Sequence, residues 1–377
     1  MTAAGLIFSN IHNQSIPELT KQRTMASIPY GCRYRLIDFA LSNMVNSDIS
    51  TVGVITHNNY QSLMDHLGTG KDWDLARRSG GIKLLPPFIS AHENRLAGKL
   101  YENRLEATVG AANFIRYCKA DYMVLSDCDA ILNINFKAVI EDHIRSGAFL
   151  TLVGKRVDLK KNPLDCPVDL LTVDSTGRLT DFEVAVPQKG KPLVNTNIMV
   201  IKRTDLLSLI DEAIAKGYKS FHEDVMRHGL RRKLFRVYEF DGWYTQITSL
   251  ESYFTASMAL LSKEAQTSLF RSEDRLIYTK VRNSPPTKYA ASAKVTNSMV
   301  ADGCSIEGTV ENCILFRGVH IGKGAVVRNC IIMQDGKVMD GAELQYCIMD
   351  KQATVQEKGR LLATQSYPIV VAKNFTV

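Results

Sequence analysis

Along residues 1–262, short apolar runs recur between longer amphipathic stretches: Gly5-Leu-Ile-Phe8, Thr51-Val-Gly-Val-Ile-Thr56, Tyr122-Met-Val-Leu125, Phe149-Leu-Thr-Leu-Val153 and Ile198-Met-Val-Ile201. Runs of this length fit buried β-strands, and the stretches between them fit covering helices. The alternation predicts an α/β domain with a mainly parallel sheet. Ligands of such sheets bind beyond the carboxyl ends of the strands, which directs attention to the loops after Phe8 and Leu125.

The pattern changes over residues 263–290, where charged and polar residues lead into the turn-rich Asn283-Ser-Pro-Pro-Thr287, as expected of an interdomain linker. Residues 291–377 then carry a degenerate repeat, visible in Asn297-Ser-Met-Val300, Asn312-Cys-Ile-Leu315, Asn329-Cys-Ile-Ile332 and Tyr346-Cys-Ile-Met349. Its units are spaced 15, 17 and 17 residues apart. Aliphatic residues recur about every six positions, as at Ile321, Val327 and Met333, with glycine turns among them. This is hexapeptide spacing, and it predicts a β-solenoid of about four coils with buried aliphatic ladders and cysteines facing inward. Closely spaced strands of a β-sandwich are the alternative.

With 377 residues, 45% of them hydrophobic, the chain suits two domains. The first residues lack the basic segment of a secretory signal, and no apolar stretch is long enough to span a membrane. Eight cysteines include no CxxC pair and no close His/Cys cluster, so zinc and redox centres are not expected. Free thiols in a reducing cytoplasm are. The net charge of +7 comes from 46 basic and 39 acidic residues scattered along the chain. It suits small anionic ligands rather than nucleic acid.

Residues 19–47, with Arg23 and the run Ser27-Ile-Pro-Tyr-Gly-Cys-Arg-Tyr-Arg-Leu-Ile-Asp-Phe39, closely resemble the signature of glucose-1-phosphate adenylyltransferases, also called ADP-glucose pyrophosphorylases. The resemblance continues in Gly68-Thr-Gly-Lys-Asp-Trp-Asp74, in residues 80–87, and in residues 308–327 of the repeat. It implies a Rossmann-like, GT-A-like nucleotidyltransferase domain over 1–262, the linker, and a left-handed parallel β-helix over 291–377. Active members of the family assemble as tetramers and join ATP and glucose 1-phosphate into ADP-glucose and pyrophosphate with Mg²⁺.

Such chemistry holds a triphosphate by backbone N–H groups and cations while a sugar phosphate attacks in line. Compared with the family, several of these groups are replaced. The loop from Phe8 to Ser15 has no glycine, and Met25 stands where the family has a lysine. Cys128 falls on a metal-binding aspartate, with Asp127 and Asp129 on either side as substitutes, and Gln246 falls on the second such aspartate. Ala185 and Val186 replace the glutamate-lysine pair of the sugar-phosphate site, while Asp224 matches a sugar-contacting aspartate. Each lost electrostatic group typically costs about 10² to 10³ in rate.

The pattern is similar to the D-type subunit found beside a catalytic C-type subunit in Gram-positive bacteria. The expectation is therefore a largely non-catalytic regulatory subunit that modulates a catalytic homologue within a hetero-tetramer. A homo-oligomer alone is the other assembly considered. Weak sugar-phosphate or nucleotide binding and no tightly bound Mg²⁺ are expected. A competent transferase using Asp127 and Asp129, and a solenoid acyltransferase, are the competing readings.

Arg23, Arg33 and Arg35 lie close in sequence, and guanidinium forks suit phosphate. In the family this neighbourhood lies near an anionic effector site. Effector or interface roles compete with plain salt bridges such as Arg35 to Asp38. His320 reads as an exposed histidine on a solenoid turn, and Trp73 and Trp243 as packing residues rather than stacking platforms.

Overall fold

The computed structural model describes residues 2–9, 11, 13–86, 101, 103–160, 164 and 166–377. The chain forms two compact units, each discontinuous in sequence: residues 12–38 and 245–272 group with 279–377, and the remainder groups as 1–11, 39–244 and 273–278. Among the described residues no helix is long and apolar enough to cross a membrane.

The first unit is built on nine strands: β1 (Ala3–Phe8), β2 (Thr51–Ile55), β3 (Gly81–Leu85), β4 (Tyr122–Asp127), β5 (Leu150–Arg156), β6 (Val168–Val173), β7 (Leu179–Ala185), β8 (Leu193–Lys202) and β9 (Phe235–Glu239). Each apolar run read from the sequence lies within one of these strands or overlaps it. The order β7-β6-β8-β4-β1-β2-β3 has β5 joined to both β8 and β9.

The sheet is mixed rather than mainly parallel. Strands β4, β1, β2 and β3 are parallel neighbours, as are β5 and β9. Strand β8 runs antiparallel to β4, β5 and β6, and β6 pairs antiparallel with β7. A parallel connection needs a crossover helix of a dozen or more residues. No helix is described between β5 and β8, and β6 turns into β7 through Asp174–Gly177. There the Asp174 carboxylate accepts hydrogen bonds from the backbone N–H groups of Thr176 and Arg178, and Gly177 takes φ +82°.

Helices Phe136–Ser146 and Arg203–Lys216 pack on this sheet. Asn135 caps the first of them through its side chain, and each ends at a left-handed glycine, Gly147 or Gly217. Leu6, Phe8, Leu125, Leu152, Met199, Leu206 and Phe235 share one buried core.

The second unit contains a left-handed β-helix of three parallel sheets with five strands each. Five layers, rather than about four coils, are present, because Thr354–Val355, Arg360–Leu362 and Ile369–Val371 form a last layer that the sequence repeat no longer marks. Parallel pairing stacks Ile306, Ile321, Val338 and Val355 into one ladder, and Val310, Val327, Leu344 and Leu361 into another. Burying each such side chain contributes about 1.5–3 kcal/mol. Cys304, Cys313, Cys330 and Cys347 point into this core as expected, and each is at most 2% exposed.

The asparagine column of the repeat has a backbone cause. Asn297, Asn312 and Asn329 take φ of +41°, +52° and +50°, with Tyr346 at +52° in the same place. Asparagine tolerates this left-handed corner better than most residues. His320 is not on an exposed turn: it lies half-buried in the strand His320–Ile321, paired with Ser305 and Lys337. The corner before it is made by Gly318, at φ +71°, so the chain is already extended at His320.

Candidate functional site

In the first unit, the register of β1 with β4 sets Phe8 beside Asp127 at the carboxyl ends of two parallel strands. A connected polar network gathers there. Arg104, which follows the helix-capping Asn103, reaches the Asp127 carboxylate at 2.5 Å, with side-chain exposures of 9% and 1%. Its guanidinium also lies over the Phe8 ring, 5.8 Å from the centroid.

Strand β8 supplies the next links. It is buried from Leu193 to Ile201, yet its sequence is broken by Asn195-Thr-Asn197. The pairing of β8 with β5 shifts register between Asn195 and Met199, and Asn197 takes φ +61°. Such an irregularity re-aims side chains out of the pleat. Asn197 thereby donates to Asp129 at 3.1 Å, and Asn195 donates to Asp169 on β6 at 3.1 Å. His222, in the single-turn π-helix Phe221–Arg227, meets the same Asp169 carboxylate at 2.6 Å.

Burial works against the charge of Arg104, but Asp127, and beyond it Asp129 and Asp169, hold its pKa above the ordinary value. Burial likewise opposes ionisation of Asp169, which His222, Asn195 and Arg104 nevertheless keep below the usual carboxylate range. Tyr244 is pushed well up by burial and then by the charges of Asp129 and Asp169, so its hydroxyl stays protonated. Among the described residues the network thus sets the carboxylates of Asp127, Asp129 and Asp169 against the guanidinium of Arg104.

Asp127 and Asp129 thus sit in one network, with Cys128 between them only 2% exposed. Asp224 is used differently: its carboxylate accepts from the backbone N–H groups of Lys219 and Ser220 at 2.8 and 2.9 Å, and these bonds lower its pKa. Ala185 ends β7 opposite Val168, and Val186 follows it half-buried. Trp73 is buried, edge-on to His66 at 5.5 Å, as a packing residue. Of the glycine-free loop after Phe8, Asn10 and His12 lie outside the described residues, as does Pro87 of the 80–87 motif. Among the described residues no group of three or more His, Cys, Asp or Glu side chains is arranged to hold a metal ion.

Sequence reasoning missed Arg104, Asp169, Asn195, Asn197, His222 and Tyr244. A signal existed for the asparagines, since two amides interrupt an otherwise apolar strand. Arg104 and Asp169 had none, because their meeting with the β4 aspartates depends on the sheet order.

In the second unit, Arg23 is 3% exposed and grips both oxygens of Asp350, at 2.8 and 2.7 Å. Met25 is buried in the short turn that follows. Pro29–Tyr30 and Tyr34–Arg35 form a hairpin through Gly31 and Cys32, both at positive φ, and Tyr253 donates its hydroxyl to the Pro29 carbonyl. Arg33 turns to Asp302, a carboxylate shared with Arg317. Asp38 accepts from the backbone N–H of Arg35. Arg33 therefore parts from Arg23, whereas the charges of Arg23 and Arg35 both act on Lys351.

Lys351 is the most perturbed cation of the unit. Burial first, and then the neighbouring Arg35, Arg23 and Arg282, push its pKa down to about 7 against the pull of Asp350. Gln246 lies half-buried in the two-residue strand Thr245–Gln246.

Comparison with known proteins agrees with this architecture. A family described as nucleotidyl transferase matches residues 16–163, and one described as a GlmU-like C-terminal hexapeptide matches residues 285–361. The chain is 37% identical to the glycogen biosynthesis protein GlgD of Bacillus subtilis, over 98% of this chain and 95% of that protein. It is also 37% identical to GlgD of Geobacillus stearothermophilus, over 86% of this chain and 82% of that protein. Glucose-1-phosphate adenylyltransferase of Thermotoga maritima is 31% identical, over 82% of this chain and 72% of that protein.

Proposed function

The chain belongs to the glucose-1-phosphate adenylyltransferase family, together with the GlgD proteins, and from that premise we propose that it serves glycogen biosynthesis as a regulatory, largely non-catalytic subunit. Its role is to modulate a catalytic homologue, the enzyme that makes ADP-glucose and pyrophosphate from ATP and glucose 1-phosphate, within a mixed tetramer in the cytoplasm.

Three substitutions support the non-catalytic half. Cys128, Val186 and Gln246 bring no charge to the positions where the resemblance requires metal-binding carboxylates and a phosphate-binding cation. Several losses of preorganised charge leave little rate, even when they are not additive.

The observation that carries the regulatory half is Lys351. A lysine whose charge is opposed by burial and then by Arg35, Arg23 and Arg282, with Asp350 already gripped by Arg23, gains from added negative charge. A phosphorylated effector, such as a sugar phosphate, supplies that charge and is recognised through charge-assisted hydrogen bonds.

Co-purification with the catalytic homologue tests this reading. The chain is expected to co-elute with it, to form no ADP-glucose alone, and to change the homologue's effector response. ADP-glucose formation by the isolated chain at a normal enzymic rate would reject it.

A further inference from the structure

The acidic network at the end of β4 comes with its own cation. Arg104 places a guanidinium nitrogen 2.5 Å from Asp127, and Asp129 and Asp169 are near enough to favour its charge as well. The side chain is nine-tenths buried, and its Nε has no hydrogen-bond partner among the described residues. Asn197 and Asn195 fix Asp129 and Asp169 from the other side, and His222 closes the chain of contacts.

A divalent metal at such a cluster requires several oxygen ligands at short range. Mg²⁺ in particular asks for near-octahedral geometry at about 2.0–2.1 Å. Here the Asp127 oxygen that would start such a shell faces a guanidinium, and a fixed positive charge repels any cation brought to the same carboxylates. Arginine cannot relieve the conflict by giving up its proton. The carboxylates present therefore do not fit Mg²⁺ while Arg104 is in place.

We propose that Arg104 is the resident cation of this site, taking at Asp127 the place of a divalent metal and closing the β4 carboxylates to Mg²⁺ and Mn²⁺. The inference extends the non-catalytic reading to a physical cause, but stands on the carboxylate cluster alone. The effector cluster and the binding of a catalytic homologue are measured separately and can survive its failure.

The probe is Mn²⁺ alone, followed by the electron paramagnetic resonance signal of the free ion and by thermal unfolding of the full chain. Wild type is expected to leave Mn²⁺ free and to keep its melting temperature at millimolar metal. Arg104→Met keeps the apolar stem over Phe8 and removes the charge; Arg104→Gln keeps an N–H donor for Asp127. Either variant is expected to bind one Mn²⁺ per chain and to be raised in melting temperature by it. Adding Asp129→Asn should abolish both effects.

If neither variant folds alone, recovery of folded protein only on refolding with Mn²⁺ supports the proposal, and failure in both conditions counts against it. Wild type that binds Mn²⁺ and loses it on Asp129→Asn overturns the proposal, as does a folded Arg104 variant that leaves the ion free.

Discussion

Arg23 and Asp350, 327 residues apart in the chain, form a pair in which one guanidinium nitrogen reaches both carboxylate oxygens, at 2.8 and 2.7 Å, with side-chain exposures of only 4% and 5%. The pair joins the family signature segment to the β-helix inside one compact unit. Its consequence for stability is asymmetric, because removing one partner leaves the other charge buried without compensation.

Arg23→Met or Asp350→Met should each cost about 3–5 kcal/mol, whereas the double Arg23→Met, Asp350→Met variant should cost much less than the sum. Urea unfolding of the four proteins in a double-mutant cycle checks this. Additive losses would show that the pair is not coupled.

Lys351 gives the unit a pH signature. Its folded pKa is depressed from 10.5 to about 7, so between those values the unfolded chain binds a proton that the folded chain lacks. Stability should therefore rise as pH increases through that window. Lys351→Met should flatten the slope and raise the melting temperature at pH 7. The same variant should weaken binding of inorganic phosphate, and binding by wild type should fall as pH rises through about 7. Calorimetry at several pH values reads both effects.

The thiols should separate by burial. Cys118 and Cys166 are half-buried, while Cys32, Cys128, Cys304, Cys313, Cys330 and Cys347 are buried. A thiol reagent should label only the first two in native protein, with Cys118 slowed because burial raises its pKa. The other six should react on unfolding, as mass spectrometry of labelled peptides would show.

The left-handed corners predict a substitution pattern. Asn329 sits at φ +50°, where Asn329→Ala should cost about 1 kcal/mol of backbone strain and Asn329→Gly considerably less. Comparing the two variants by thermal unfolding distinguishes a backbone role from a side-chain one, in which both would lose equally.

Much of the architecture was legible in the chain because it rests on short periods. Strand runs such as Ala3–Phe8 and Tyr122–Asp127 announce themselves by local hydrophobicity, and the solenoid by aliphatic residues six apart. The fifth layer was not legible, since Arg360–Leu362 is largely exposed and the layer lacks the Asn-Cys-Ile signature of the central coils. The mixed sheet was not legible either, because strand direction depends on which connections carry helices rather than on the strands themselves.

The sequence by itself determined the element types and the family signature. Those are properties of single positions or of local spacing. Only the tertiary structure decided which charges meet: Arg104 with Asp127, Asn197 with Asp129, Arg23 with Asp350, and Arg35 with Lys351. Such pairings join residues separated by 23 to 327 positions, so sheet order and coil stacking govern their distances. Burial then lowers the local dielectric and makes each of those meetings count.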